Sequence, residues 1–235
     1  MLQKIPLSKV LFLDIETVPE FPTFKDLDDK TQELYGQKTK FLQKENSVEE
    51  LYDRAGIYAE FGKIVCISVG YIHASSLGEQ IRLKSFYNDD EEVILREFVA
   101  LLEDSNVFSI LCGHNAKEFD FPFICRRLLI NGITLPPVLD IAGKKPWEIN
   151  HLDTMELWKF GDYKAYTSLS LLCHVFKIPT PKDDISGADV ARVYYEEKNL
   201  ERIKVYCEKD VVALMQLLRK MIGKSLIKED KILYS

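Results

Sequence analysis

The last long helix predicted from the sequence carries a carboxylate where a core-facing side chain is expected. Apolar residues recur at spacings of three, four and seven over Leu200–Met221, which predicts an amphipathic helix. The apolar stripe consists of Leu200, Ile203, Cys207, Leu214, Leu218 and Met221. Asp210 falls in the middle of this stripe, and Tyr206 lies one helical turn earlier at its edge. Because a lone carboxylate is unfavourable in apolar surroundings, the sequence predicts a positively charged partner for Asp210.

Two more acids close the first strand of the chain. The apolar run that ends in Asp14 and Glu16 predicts a short buried strand at Val10–Glu16. Side chains two residues apart on a strand point to the same face, so both carboxylates can serve one site. Taken alone, an acid-x-acid pair more often marks a solvated strand end or the start of a helix. Thr17 follows directly and could offer its hydroxyl or its backbone N–H to an oxygen of a ligand.

A third polar group follows another buried strand, predicted at Val107–Cys112. Asn115, Phe119 and Asp120 lie in the loop after this strand and at the start of a helix predicted at Glu118–Ile130. Open α/β sheets bind their ligands in such loops at the carboxyl ends of strands. Asn115 could instead cap the helix, and Asp120 could complement its dipole. Phe119 could belong to the core, or it could stack on a base.

Two further polar residues are better explained by structure than by chemistry. Asp153, with Glu156 three residues later, predicts a capping box for a short helix through Phe160, so Asp153 is left out of the metal site. His114 is predicted to be an ordinary loop histidine. The four acids that remain, Asp14, Glu16, Asp120 and Asp210, come from distant parts of the chain and can converge only through the fold. Hard divalent cations prefer carboxylate oxygens, so the sequence predicts a divalent-metal site.

The order of the predicted elements indicates an α/β protein with a mixed sheet and flanking helices. A three-strand meander comes first, and later strands alternate with helices. The predicted strands are Val10–Glu16, Ile64–Ile72, Gln80–Tyr87, Val107–Cys112 and one near Ile149–Leu152. The third of these is expected at the edge side of the sheet.

Residues 1–235 are predicted to form a single domain with an insertion at about 20–61. The insertion is polar and shows weak helical signals at Asp28–Leu42 and Ser47–Ala55. We expect it to pack over the carboxyl edge of the sheet. The tail after Lys224 is expected to be loosely held.

Charge and cysteine content exclude several classes of protein. The net charge of −6 argues against a protein that coats nucleic acid by bulk attraction, but allows an enzyme that holds a few terminal nucleotides. The five cysteines form no CxxC pair, which predicts reduced core thiols and a cytoplasmic location. The apolar run near the N-terminus is too short for a signal peptide, and no stretch is long enough to span a bilayer. No membrane partner is therefore predicted.

Three segments together resemble a known superfamily. The motifs LFLDIET, GHNAKEFD and YCEKD resemble, in order, the three exonuclease motifs of the DEDD superfamily of 3′→5′ exonucleases. Tyr206 lies four residues before Asp210, as in the tyrosine subtype, whereas the position of the histidine subtype is occupied by Val205. The phrases FGKIVCISVGY and HLDTMELWKF look most like stand-alone bacterial proteins related to the proofreading domain of family-B DNA polymerases.

This resemblance implies a ribonuclease-H-like fold and two Mg²⁺ or Mn²⁺ ions. It implies that Asp14 bridges both ions, that Glu16 and Asp210 hold the ion that carries the attacking water, and that Asp120 binds the second. Tyr206 would orient the water and complete the catalytic set. The residues expected to contact the substrate are Ile15, Thr17, Asn115 and Phe119. The expected partner is a nucleic acid 3′ end, with single-stranded DNA favoured, and the product is a nucleoside 5′-monophosphate.

Two other functions remain open at this point. The same chemistry could act on RNA, and contact with a 2′-hydroxyl would distinguish that substrate. The chain could also be an inert module that binds nucleic acid or a protein partner on this fold. A binding module has no need for Tyr206 or for an acid in an apolar stripe, so the complete set of motif residues favours the enzyme.

Overall fold

A mixed β-sheet forms the centre of the computed structural model, which describes residues 2–76, 78–104, 107–162, 164–179 and 185–235. Within these residues the sheet has six strands in the order β5-β4-β1-β2-β3-β6. The strands are β1 (Val10–Pro19), β2 (Gly62–Ser75), β3 (Gly78–Tyr87), β4 (Ile110–Gly113), β5 (Leu152–Asp153) and β6 (Ile232–Tyr234). Strands β1, β2 and β3 pair antiparallel, whereas β4 pairs parallel with both β1 and β5. The predicted α/β class, with a meander followed by helix-alternating strands, is confirmed.

Helices cover both faces of the sheet. The α-helices are α1 (Asp29–Thr39), α2 (Val48–Leu51), α3 (Glu91–Asp104), α4 (Asp120–Ile130), α5 (Thr154–Lys159), α6 (Leu169–Val175), α7 (Val190–Tyr195) and α8 (Leu200–Met221). Short 3₁₀ helices occupy Leu2–Lys4, Leu7–Lys9, Phe24–Asp26, Lys40–Leu42, Tyr52–Ile57, Pro146–Glu148, Gly187–Asp189 and Glu229–Lys231. No helix in the described parts of the chain is both long and apolar enough to cross a membrane.

The alternation of side chains along β1 sorts the core into two layers. Leu11, Leu13 and Ile15 pack into a large cluster with side chains of α3 and α4. Val10 and Phe12 face the opposite way and pack against α8. Because successive strand residues point to opposite faces, Asp14 and Glu16 continue the face that α8 covers. The sheet therefore turns both acids toward the face that α8 covers.

A buried ion pair joins α4 to α3 and, through a further hydrogen bond, to β2. Arg127 of α4 contacts Glu91 of α3 at 2.5 Å between Nη2 and Oε2, with both side chains about 7% exposed. Arg127 also donates to the carbonyl of Ala59 at 2.9 Å, and Glu91 accepts from the backbone N–H of Ile64 at 2.7 Å. These bonds satisfy both charged groups, which a buried ion pair requires. They fix α4 relative to β2, and so fix the helix that begins with Asp120.

The insertion has a small hydrophobic cluster of its own. Its members include Phe24, Leu27, Tyr35, Leu51, Tyr52, Ala55 and Phe61. The helical signals of the sequence correspond to α1, α2 and the 3₁₀ helix Tyr52–Ile57. This 3₁₀ helix lies against β1, where the hydroxyl of Thr17 donates to the carbonyl of Gly56 at 2.7 Å. A Cβ on Gly62 would come within 2.9 Å of the Gly56 backbone, so the close approach requires glycine there.

The C-terminal tail differs from its prediction. It was expected to be loosely held, but β6 pairs parallel with β3, with Ile232 opposite Ile81 and Tyr234 opposite Leu83. The backbone N–H of Ser235 also donates to the Leu83 carbonyl at 3.1 Å. Strand β3 is consequently not the edge of the sheet over this stretch, and the edge position predicted for it is wrong there. A three-residue strand is too short to show a two-residue period in the sequence.

Candidate active site

The face of β1 that meets α8 changes from apolar to acidic at Asp14. Val10 and Phe12 are fully buried on this face, and Asp14 and Glu16 follow them at the same two-residue spacing. The pairing of β1 with β2 shifts register between Glu16 and Thr17. Such an irregularity bends a strand and is common beside functional sites. The two carboxylates therefore lie together where the regular part of β1 ends.

Helix α8 completes this acidic cluster from the other side. The Cys207 thiol lies 3.4 Å from the Asp14 carbonyl oxygen and 3.5 Å from its Oδ2. One potential metal-ligand atom from each of Asp14, Glu16 and Cys207 lies within 4.8 Å of the other two. The apolar stripe of α8 is slightly different from its prediction. Val211 is fully buried in the middle of the stripe, whereas Asp210 is half-buried beside it and lines the cleft.

The fourth acid reaches the site from α4. Asp120 is the first residue of α4 and is only 4% exposed. Hydrogen bonds from its own backbone N–H and from that of Ile15 lower the pKa of its carboxyl group and join α4 to β1. Burial outweighs these bonds and raises the pKa of Asp120 to about 7.

The loop before α4 has an unusual backbone conformation. Asn115 has a φ of 61°, in the left-handed region that asparagine tolerates better than most residues. Its carbonyl accepts from the N–H of Phe119 at 3.0 Å. The N-cap of α4 is Phe119, without a side-chain cap hydrogen bond, so the alternative that Asn115 caps this helix is wrong. Before the loop, a Cβ on Gly113 would lie 2.2 Å from that of Ala116, so this tight turn requires glycine.

A single cleft of about 650 Å³ brings the predicted site residues together. All nine of them line it: Asp14, Ile15, Glu16, Thr17, Asn115, Phe119, Asp120, Tyr206 and Asp210. Other lining residues carry no signal in the sequence. The insertion contributes Asp53, Arg54, Gly56 and Ile57, the 3₁₀ helix before α7 contributes Gly187 and Ala188, and α7 itself contributes Ala191. No motif or periodicity marked these residues, because only the fold brings them to the cleft.

The four residues expected to contact substrate differ in what they can offer. Ile15 is buried in the core on the opposite face of β1, so only its backbone can serve the cleft. The hydroxyl of Thr17 already donates to the Gly56 carbonyl, so it is not available to donate to a ligand. Phe119 is half-buried and rests against Phe123, with ring centroids 5.5 Å apart. An aromatic ring held in this way can present a face to a base.

Burial and mutual repulsion make the acidic cluster unfavourable when it is fully charged. Burial raises the pKa of Asp14 well above its usual value, and the charges of Asp120 and Asp210 raise it further. Burial likewise raises the pKa of Glu16, with Asp14 and then Asp210 adding to the effect. Desolvation and like charges both disfavour a carboxylate. A bound cation would relieve both effects.

Tyr206 keeps its proton at neutral pH. Burial raises the pKa of its phenol, and the charges of Asp210, Glu16 and Asp14 raise it further. A side-chain hydrogen bond to Asp210 acts in the same direction, because the phenol donates to the carboxylate. The tyrosine can therefore donate a hydrogen bond or orient a bound group at the cleft, and it is a poor base.

Asp153 is a structural acid, in contrast to the cleft acids. It is 3% exposed and caps α5 by accepting from the backbone N–H groups of Met155 and Glu156. It also accepts from the N–H groups of Asn115 and Lys117, at 2.9 and 3.1 Å. The predicted N-cap is confirmed. The reciprocal arm of the capping box differs, because the Glu156 carboxylate instead pairs with Lys117 Nζ at 2.6 Å.

His114 lines the cleft, but both ring nitrogens are occupied. Nε2 lies 2.9 Å from the Thr167 carbonyl oxygen, which can only accept, so Nε2 carries the proton. Nδ1 then accepts from the Thr154 hydroxyl at 2.8 Å. Burial lowers the pKa of this imidazole, which agrees with a neutral ring. The histidine holds the loop to α5, as expected of a structural residue.

The order of the strands and the flanking helices define the fold class of the protein. The fold is ribonuclease-H-like, and it matches the structure of the family B DNA polymerase from the hyperthermophilic archaeon Pyrobaculum calidifontis with a TM-score of 0.60. The sequences are 16% identical over 91% of this chain and 24% of the polymerase chain. This chain thus spans about a quarter of that polymerase. At this identity the similarity shows the fold alone.

The family follows from a second comparison. A protein-family model described as a predicted 3′-5′ exonuclease related to the exonuclease domain of PolB matches residues 57–231. The match covers more than half of the chain, and the chain belongs to this family. It includes Asp120, Tyr206 and Asp210, whereas Asp14 and Glu16 precede it. The predicted relationship to the proofreading domain of family-B polymerases is confirmed.

Proposed function

We propose that this protein is a 3′→5′ exonuclease that removes nucleoside 5′-monophosphates from DNA 3′ ends by a two-metal-ion mechanism. One observation carries the proposal. Carboxylates from β1, α4 and α8, together with the phenol of Tyr206, line one cleft although they are far apart in sequence. Each has the residue type of the exonuclease motif in which it occurs. An inert binding module has no need for such a costly cluster.

The acidic side chains of the cleft have the chemistry that hard divalent cations prefer, and we assign two such ions, Mg²⁺ or Mn²⁺, to them. Asp14, Glu16, Asp120 and Asp210 would hold them, since such ions prefer oxygen ligands. Cys207 would remain a neutral thiol, because burial raises its pKa well above the usual value. When bound, two such ions stabilise the entering and the leaving oxygen of an in-line displacement at phosphorus.

The remaining steps belong to side chains and backbone groups of the chain. Tyr206, held by Asp210, orients the attacking water through its neutral hydroxyl. Glu16 and the backbone N–H of Thr17 bind the terminal 3′-hydroxyl. Asn115 and Phe119 position the last nucleotides, with the ring of Phe119 stacking on a base.

The first expected result is metal-dependent shortening from the 3′ end. A 5′-labelled single strand should yield a ladder of products that shorten from the 3′ end in the presence of Mg²⁺ or Mn²⁺. The proposed reaction depends on cations bound by the acidic cluster. Chelator should abolish the ladder. The measurement is gel electrophoresis of DNA and RNA of equal sequence, with chromatography of the released mononucleotide.

Several outcomes of this assay would contradict the proposal. Cleavage that persists in chelator, or release of 3′-phosphates, would exclude the two-metal mechanism. Degradation of RNA in preference to DNA would reassign the substrate while retaining the chemistry. A protein that binds the strands without shortening either one would be a binding module.

A second expected result is a preference for single strands or frayed ends. The net charge of −6 leaves little basic surface for a duplex. About two to four phosphates should be neutralised, which gives a slope of log K against log salt of roughly −1.5 to −3 for a single strand. Binding titrations at several salt concentrations measure this slope. A much steeper slope, or faster digestion of blunt duplex than of single strand, would contradict this preference.

A further inference from the structure

Arg54 stands out among the residues that line the cleft. It is the one lysine or arginine among the described lining residues, which include five acids: Asp14, Glu16, Asp53, Asp120 and Asp210. It comes from the insertion, and it precedes residues 57–231, which match the family model. Neither the exonuclease motifs nor the family match therefore accounts for its presence.

The guanidinium group of Arg54 is not paired with a carboxylate in the described part of the chain. The side chain is exposed, and it forms no hydrogen bond and no ion pair within 4.0 Å of any described carboxylate. Other arginines behave differently: Arg127 pairs with Glu91, and Arg219 pairs with Glu79. Arg54 lines a cleft with five acids but forms no ion pair with any of them. Its positive charge is therefore available to an anionic ligand.

The backbone that carries Arg54 is firmly held. Its neighbours Tyr52 and Ala55 are buried in the cluster of the insertion, with exposures of 2% and 0%. Gly56 is bound to Thr17 of β1, directly after Glu16. Arg54 is therefore presented to the cleft by a packed 3₁₀ helix, and its position relative to the acids is set by the fold.

We propose that Arg54 binds the phosphate on the 5′ side of the scissile linkage. This inference rests on the proposed function, in which the four motif acids and their cations bind the scissile phosphate itself. A second phosphate entering the same acidic cleft needs a positive partner, and Arg54 is the cation placed to supply it. A guanidinium group suits this task because it donates two parallel hydrogen bonds to phosphate oxygens.

The test compares two substrates that differ in the number of phosphates. A single-stranded oligonucleotide has phosphates on the 5′ side of the scissile bond. The p-nitrophenyl ester of thymidine 5′-monophosphate has only the phosphate that is cleaved. Arg54→Gln should raise KM for the oligonucleotide by about 10- to 100-fold, the scale of a charged hydrogen bond, with a much smaller change in kcat. The factor by which Arg54→Gln lowers kcat/KM should be at least about tenfold smaller for the ester than for the oligonucleotide.

Two further variants make the comparison specific. Arg54→Lys should recover part of the loss, because it restores the charge without the two-pronged geometry. Arg126→Gln is the matched control, since Arg126 is an exposed arginine on α4 that does not line the cleft. The slope of log K against log salt should become shallower by about 0.7 in Arg54→Gln, as expected for one lost phosphate contact on a single strand. Thermal melts should coincide for all four proteins.

The outcomes separate this inference from the proposed function. If the wild type cleaves both substrates and Arg54→Gln loses equally on each, Arg54 does not bind that phosphate. Loss on both substrates together with a lowered melting temperature would assign a structural role to Arg54, which also overturns the inference. If the wild type cleaves neither substrate in Mg²⁺ or Mn²⁺, the proposed function itself fails and the inference fails with it.

Discussion

Replacing Asp210 with asparagine is expected to abolish the nuclease activity without destabilising the metal-free protein. The change removes one charge at nearly constant shape. Charge on Asp210 contributes to the raised pKa of Asp14 and of Glu16, so its loss relieves repulsion at both. Asparagine keeps an oxygen that can accept from the Tyr206 hydroxyl. Without metal, the variant should be as stable as the wild type or more stable, as is common when strain at an active site is relieved.

Metal should stabilise the wild type much more than Asp210→Asn. Ions that bind only the folded state stabilise it by about 2.7 kcal/mol at 100 times the dissociation constant, which corresponds to a rise of roughly 5–10 °C in the wild-type melting temperature. Asp210→Asn should lose most of this rise. Its nuclease activity should fall by about a thousandfold or more, on the scale of a lost charge-stabilising group.

Thermal melts in chelator and in Mg²⁺ or Mn²⁺, with a parallel nuclease assay, provide the measurement. Asp153→Asn is the matched control, because Asp153 is a buried acid that accepts from backbone N–H groups and does not line the cleft. That variant should lose about 1–3 kcal/mol of stability with or without metal. If Asp210→Asn also melts well below the wild type in chelator, Asp210 is a hydrogen-bonded structural residue and not a metal ligand.

Replacing Tyr206 with phenylalanine is the change with the second largest expected effect. The phenol is half-buried in the cleft and donates to Asp210, and its raised pKa keeps it protonated at neutral pH. If it orients the attacking water, Tyr206→Phe should lower kcat by roughly one to three orders of magnitude. Binding of the 3′ end should change little, because the ring and its packing are retained. Since the phenol is not a base, kcat should show no dependence on its ionisation below about pH 10.

Single-turnover and steady-state kinetics on an oligonucleotide measure this effect. Tyr35→Phe is the control: the Tyr35 hydroxyl donates to the Leu51 carbonyl at 2.5 Å inside the insertion and does not line the cleft. It should lose about 1 kcal/mol of stability while kcat stays within about twofold. Wild-type turnover in Tyr206→Phe would mean that the phenol serves only packing.

The sequence by itself determined those features that depend on neighbouring residues. The periods of apolar residues identified α8 and the first three strands, and the spacing of Asp153 and Glu156 identified the start of α5. The spacing of Tyr206 and Asp210 placed both on one side of a helix. The three motifs named acids whose side chains line one cleft in the structure. Such patterns survive in a single sequence because helix and strand geometry imposes them over a few residues.

Only the tertiary structure decided which partners those residues have. Asp14 and Cys207 are 193 positions apart, and Thr17 and Gly56 are 39 apart, so no local spacing records their contacts. The same limit explains why Val211, and not Asp210, fills the apolar stripe, and why β6 was missed beside β3. It also explains why Arg54 emerged as a cleft residue only from the packing of the insertion on β1. Side chains far apart in the chain meet because packing and buried hydrogen bonds select one arrangement, and that selection is a property of the whole fold.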